Sequence, residues 1–166
     1  MLKDIDVAQY FIDKDTDNTL FNKDLVTRNN RTFYIGNARL NKYLHIAQMI
    51  YIAKTGKPLM DAEFYAYDNG AVTPNVQEKY PILLKQKGSA PKIEGEEKEF
   101  LDKFYNAFLS ADLDDLIDIS HEDYEWIDKN IYYLKSDQKM DLMKHADKYK
   151  ERFKDIIILF DRMKNY

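Results

Sequence analysis

The chain predicts an all-α fold of about six to eight helices, with at most a small β element. Three observations carry that expectation. Apolar residues recur at i and i+4 through residues 37–54, 96–110 and 149–163. Helix punctuation brackets these segments: Gly56 and Pro58 follow the first, and Glu96 and Glu97 open the second with the sign that suits a helix N-terminus. Strand-prone residues gather only in two short pieces, at 32–35 and 64–67.

Taken in order, Asp4 caps a first short helix whose Val7, Ala8, Phe11 and Ile12 share one face. The polar run Lys14–Asn18 ends it. Leu20, Phe21, Leu25 and Val26 then suit a short helix, Arg28–Arg31 is turn-rich, and Thr32–Ile35 is β-prone. In the helix from Asn37 to Lys54, Leu40, Tyr43, Leu44, Ala47, Ile50 and Tyr51 form the apolar stripe. Residues 59–72 read as a connector with a short extended piece at Phe64–Tyr67. Asn69 and Gly70 both tolerate positive φ and set a sharp turn, after which Val72 points into the core.

Thr73 and Pro74 launch the next helix as hydroxyl N-cap and first-turn proline, and it runs to about Gln86 with Pro81 ending or kinking it. Gly88, Pro91 and Gly95 mark residues 87–95 as a flexible loop inside one domain spanning 1–166. Phe100, Leu101, Phe104, Tyr105, Phe108 and Leu109 give the 96–110 helix its buried face. Asp112–Ile119 forms a short helix, and Ser120 with Asp123 resembles a capping box that starts another, opened by His121. Ser136 or Asp137 starts a further helix. Tyr149–Met163 is the last, burying Phe153, Ile156, Ile157 and Phe160.

Composition bounds the chemistry. The 166 residues suffice for one domain that buries ~70% of its unfolded surface. Thirteen tyrosines supply apolar area with polar tips, suited to a core margin or a partner-binding face. A net charge of −4 gives no overall basic field for a phosphate backbone, which argues against nucleic acid as partner. The absence of cysteine excludes disulfides, Cys-ligated zinc, iron–sulfur clusters and thiol catalysis, and favours a reducing compartment. The N-terminus never builds an apolar stretch of signal-peptide length. The longest aliphatic run, Ile156–Phe160, is far short of the ~20 residues that span a bilayer. The expectation is a cytoplasmic protein without membrane attachment.

No catalytic, cofactor or metal constellation is legible. His121-Glu122 does not continue to a second histidine at zincin spacing. No serine sits in a nucleophile elbow, and the five glycines make no phosphate-binding loop. Asp112, Asp114, Asp115 and Asp118 lack the glycine and glutamate of a calcium loop and read as a solvated helix face. His45, His121 and His145 read as structural or surface histidines.

One order of residues says more. Arg39-Leu40-Asn41-Lys42-Tyr43-Leu44-His45-Ile46-Ala47-Gln48 is followed by Gly56-Lys57-Pro58-Leu59, and then by Ala66-Tyr67-Asp68-Asn69-Gly70-Ala71-Val72-Thr73-Pro74. This resembles the Panacea domain family, found in SocA-like antitoxins and in phage-associated GepA proteins, whose pattern runs K-L-x-K-L-L-Y-x-A-Q, G-K-P-L and A-W-x-x-G-P-V-x-P. Ser120-His121 with Trp126 resembles a downstream family element. The chain departs at Tyr43, His45, Tyr67 and Ala71, which stand for leucine, tyrosine, tryptophan and proline. Against that pattern, residues 19–37 look like an insertion.

The resemblance implies a protein that neutralises a toxin or another effector by direct protein–protein binding, often carried on prophages beside its partner's gene. It implies no enzymatic activity and no cofactor. The positions it singles out are Tyr65, Tyr67, Asn69, Gly70, Val72, Pro74, His121 and Trp126, either as turn and core residues that fix helix geometry or as a recognition surface. Two other readings stay open. One is a DNA-associated regulator that meets phosphates through Lys79, Lys85 and Lys87; the other is an enzyme that uses His121 with Glu122 or Asp123.

Overall fold

The computed structural model describes residues 1–132 and 138–163, with the side chains of 131 and 132 left aside. Among them seven α-helices surround one central helix, and six short strands pair two by two. Strand β1 (Leu2–Lys3) runs parallel to β4 (Met60–Asp61) and leads into α1 (Asp4–Lys14). Val7, Ala8, Phe11 and Ile12 of α1 are wholly buried, as their spacing requires. Asp4 is not the cap. Lys3 holds that position, and the Asp4 carboxylate accepts from Ile5 N instead.

The short helix expected from Leu20, Phe21, Leu25 and Val26 is replaced by a hairpin of β2 (Leu25–Arg28) and β3 (Arg31–Tyr34). Asn29 and Asn30 occupy its two turn positions at φ 51° and 62°, the left-handed geometry a tight hairpin demands and asparagine tolerates. Leu25 stays largely exposed, so no buried helical stripe exists here. Phe21 turns into the core from a loop whose backbone amides at 19, 20 and 21 all donate to the Asp15 carboxylate.

Helix α2 (Ile35–Thr55) is the axis of the fold, ended by Gly56 in the left-handed region at φ 74°. It packs against α1 and five later helices, and every residue from Leu40 to Ala53 is buried. The expected one-sided stripe is therefore too narrow: a helix covered all round must also bury its polar residues, and each of these needs a partner. The adjacent pair Asn41 and Lys42, then His45 and Gln48 at steps of three, lie along one side of α2, and all four grip the backbone of the connector, directly or through a bridging hydroxyl. Asn41 accepts from Thr73 N (2.9 Å) and Lys42 donates to the Ala71 carbonyl (2.7 Å). Gln48 accepts from Leu59 N and Met60 N and donates to Met60 O.

The connector holds β5 (Tyr65–Tyr67) and β6 (Gly70–Val72), a three-residue antiparallel hairpin. Helix α3 (Pro74–Lys85) follows, with Thr73 at the N-cap but its hydroxyl turned to Asp4 rather than to the helix. Pro81 neither ends nor interrupts it. The Gln77 carbonyl that Pro81 leaves without a donor receives the Asn37 side-chain amide at 3.0 Å. In the following loop, Gly88 N and Ala90 N both donate to the Asp13 carboxylate.

Helix α4 (Gly95–Phe108) adds Phe100, Phe104 and Phe108 to an aromatic cluster with Phe11 and Tyr43, while Leu109 lies beyond the helix and is exposed. Helix α5 (Leu113–His121) is capped by Asp112, and α6 (Tyr124–Ile127) by Asp123. The capping box is thus misplaced: Ser120 and His121 end α5, and Asp123 is itself the cap. Asp128–Tyr132 extends α6 as a π turn. The start expected at Ser136 or Asp137 lies outside the described residues. A 3₁₀ turn at Leu142–His145 leads into α7 (Ala146–Arg152), and α8 (Lys154–Arg162) follows after a break at Phe153. The single last helix is therefore two, an arrangement in which Tyr149, Phe153 and Phe160 are all buried.

Candidate functional site

The eight positions singled out in the sequence meet at the β5–β6 hairpin. Tyr65, Tyr67, Asn69, Gly70 and Val72 belong to it, and Pro74 follows it directly. His121 and Trp126 reach its turn from α5 and α6. Trp126 Nε1 donates to the Tyr67 carbonyl at 2.8 Å, and His121 Nε2 lies 2.9 Å from the Asp68 carbonyl. The two rings stack with centroids 4.0 Å apart. Asn130 and Gln138 add side-chain donors to the Ala66 carbonyl.

Only Gly70 carries the positive φ of the turn, at 106°; Asn69 does not share it. A Cβ on Gly70 would sit 2.4 Å from Lys42 Cε and 3.0 Å from Ser120 Oγ, so the glycine is needed for closeness as well as for conformation. Val72 is buried as expected. Tyr65 and Tyr67, two residues apart on one face of β5, are half-buried and hold their rings 6.2 Å apart.

Beneath the hairpin runs a relay that sequence spacing did not reveal. Ser120 Oγ lies 2.9 Å from His45 Nδ1, His45 Nε2 lies 2.7 Å from Asp123 Oδ2, and Tyr149 donates to Asp123 Oδ1. Burial pushes the Asp123 carboxyl up, but the hydrogen bonds from His45, Tyr149 and Glu125 N outweigh it and hold the group below its ordinary range. Burial also pulls His45 down, against the opposing pull of Asp123, so the imidazole is neutral beside an ionised carboxylate. Nε2 then carries the proton, Nδ1 accepts from the Ser120 hydroxyl, and Ser120 Oγ accepts from Ala71 N at 2.9 Å.

The order Asp–His–Ser is that of a hydrolase triad, yet all three side chains are wholly buried and the serine oxygen is occupied by a backbone amide. What this relay does is fix the hairpin onto α2, α5 and α7. Of the residues of the enzyme reading, Asp123 pairs with His45, Glu122 accepts from Arg152 at 3.2 Å, and His121 stacks on Trp126. Among the described residues no group of three or more His, Cys, Asp or Glu could hold a metal ion. Of the three lysines considered for phosphate contact, Lys87 is occupied by the Asp15 carbonyl and the Asn18 side chain.

Lys42 was the other residue missed. It is 1% exposed, and burial pulls its amine down to about 7. It lines a cleft of about 80 Å³ between the two hairpins, together with Arg31, Phe33, Tyr67, Asp68, Asn69 and Val72. A second, wider cavity of about 670 Å³ lies on the other side of Tyr65, between Asp4, Glu63, Pro74 and Lys79. The signal for Lys42 is its place at the second lysine of the family's K-L-x-K, between Asn41 and Tyr43.

No curated protein and no solved structure matches the chain. The sequence model of one family does, over residues 40–127, which holds most of α2, the β5–β6 hairpin and the helices through α6, and is more than half of the chain. The chain belongs to the antitoxin SocA-like, Panacea domain family.

Proposed function

We propose that this protein neutralises a toxin, or another protein effector, by binding it directly through the face built on residues 65–74. The observation that carries this reading is the contrast within the hairpin. Its backbone is held by side-chain hydrogen bonds that include those of Lys42, Ser120, Trp126 and Gln138, while Tyr65 and Tyr67 are only half-buried. A rigid backbone presenting amphipathic aromatics loses little entropy on binding and suits a hot spot. Family membership supports the same reading, and the cognate partner is expected to be encoded nearby.

Co-expression with the product of the neighbouring gene tests it, scored for rescue of growth and for co-purification. Replacing Tyr65 or Tyr67 with alanine should weaken co-purification by ~10-fold or more, the scale of one interface hot spot, with an unchanged circular dichroism spectrum. A harmless neighbour that never co-purifies would overturn the proposal. Loss of helix in the tyrosine variants would show that those residues hold the fold and not the partner.

A further inference from the structure

We propose that the cleft over Lys42 is a carboxylate-binding site that takes an acidic side chain of the protein partner. This rests on the binding reading above and names the chemistry of the contact. Lys42 lines the cleft as a buried amine whose one hydrogen bond goes to the Ala71 carbonyl, and no carboxylate lies within ion-pair distance among the described residues. A buried amine either has an anion beside it or gives up its proton, and an arriving carboxylate would favour the charged form. The charged or titratable groups that act on it include His45 beneath and His121 beside it, neither of them an anion.

The rim completes the match. Arg31 is exposed at the tip of the β2–β3 hairpin and its guanidinium makes no hydrogen bond or ion pair among the described residues, and neither does the Gln77 side-chain amide. Asn69 uses its carbonyl oxygen to accept from Asn29 Nδ2 at 2.7 Å, which ties the two hairpins across the cleft and leaves its own amide protons for a ligand. Phe33, Ala38 and Val72 form an apolar wall suited to the methylenes of a glutamate or aspartate. Asp68 is the one acidic residue of the lining, and its Oδ1 accepts from Asn130 Nδ2 at 3.3 Å. With Lys42 protonated, two cations face one anion and leave room for a single negative charge, and about 80 Å³ fits a carboxyl group with its short stem rather than a nucleotide. Tyr67 forms part of the same wall, so the charged contact and the aromatic contact belong to one surface.

Propionate, a mimic of the glutamate side chain, tests the site on the free protein through the lysine ε-methylene NMR signal of Lys42. The expected result is a saturable millimolar shift that propionamide and matched chloride do not produce. It should be absent in Lys42→Met, weakened several-fold in Arg31→Ala and strengthened several-fold in Asp68→Asn. No saturable shift, or an equal one with chloride, overturns the site. Arg31→Ala changes only an exposed residue, so its result stands even if Lys42→Met fails to fold. The source is tested by co-purification with the neighbour's product: Arg31→Ala should reduce it several-fold at low salt, and unchanged capture means that the carboxylate is not the partner's. If the parent chain captures nothing, the toxin reading and the partner half of this proposal fail together, while the propionate titration still decides the site.

Discussion

Lys42 shows how much one side chain can ask of a fold. Its amine titrates at about 7 when folded and at 10.5 when free, so between those values the unfolded chain holds a proton that the folded chain lacks. Stability must therefore rise with pH across that window, by about 1.4 kcal/mol per pH unit, and level off above it. Urea denaturation at several pH values checks this, and Lys42→Met should flatten the slope and stabilise the protein near neutral pH. Gly70 is tied to the same lysine. Gly70→Ala should cost about 2–4 kcal/mol from positive φ and from the contact with Lys42 Cε. Combined with Lys42→Ala, it should cost less than the two single changes summed, because the clash goes and the φ strain stays. The sequence made Gly70 and Trp126 legible, since turn chemistry and a lone tryptophan are local signals. It hid His45 and Ser120, which lie 75 residues apart and meet only in the folded chain. Two of the chain's departures from the family pattern meet at that contact: His45 binds Ser120, and Ser120 binds an Ala71 amide that a proline would not possess.

At the scale of elements, the errors share a cause. Leu20, Phe21, Leu25 and Val26 can be placed on a helical face, and only the Asn29-Asn30 turn, with its left-handed backbone, decides for the strands of the 25–34 hairpin. Pro81 was read as a stop or a kink because the compensating donor, Asn37, comes from the start of another helix. That compensation is measurable. Asn37→Ala should cost about 0.5–1 kcal/mol, and the cost should shrink in a Pro81→Ala background, where a backbone N–H returns to Gln77 O. Thermal denaturation of the four proteins reads the cycle. The long helices α2 and α4 are legible because their periodicity spans several turns, whereas the break at Phe153 has no glycine or proline to mark it.

Across the whole molecule, the relay from Ser120 to Asp123 joins α2, α5, α6 and α7 in its bonds. The folded His45 resists a proton that the unfolded chain accepts below 6.5, so its contribution is lost as pH falls through that value. Asp123 adds a second loss further down, below 3.8, because its carboxylate is favoured in the folded state. The denaturant midpoint should fall between pH ~7 and ~5 with an unchanged m-value, and a midpoint that stays level would remove His45 from that role. The all-α class and the family were legible in the chain. The arrangement that turns the motif into a surface was not, because its supports come from distant residues.

That distance has a consequence during synthesis. Ala71 waits 49 residues for Ser120, Tyr67 waits 59 for Trp126, and Ala66 waits 72 for Gln138. At ~5–20 residues per second, the last of these lags amounts to about 4–14 s on the ribosome. A nascent chain therefore carries the family's motif seconds before it carries the residues that set the motif's shape. The hairpin on which the proposed binding face stands is complete only once Gln138, well into the final third of the chain, has been translated.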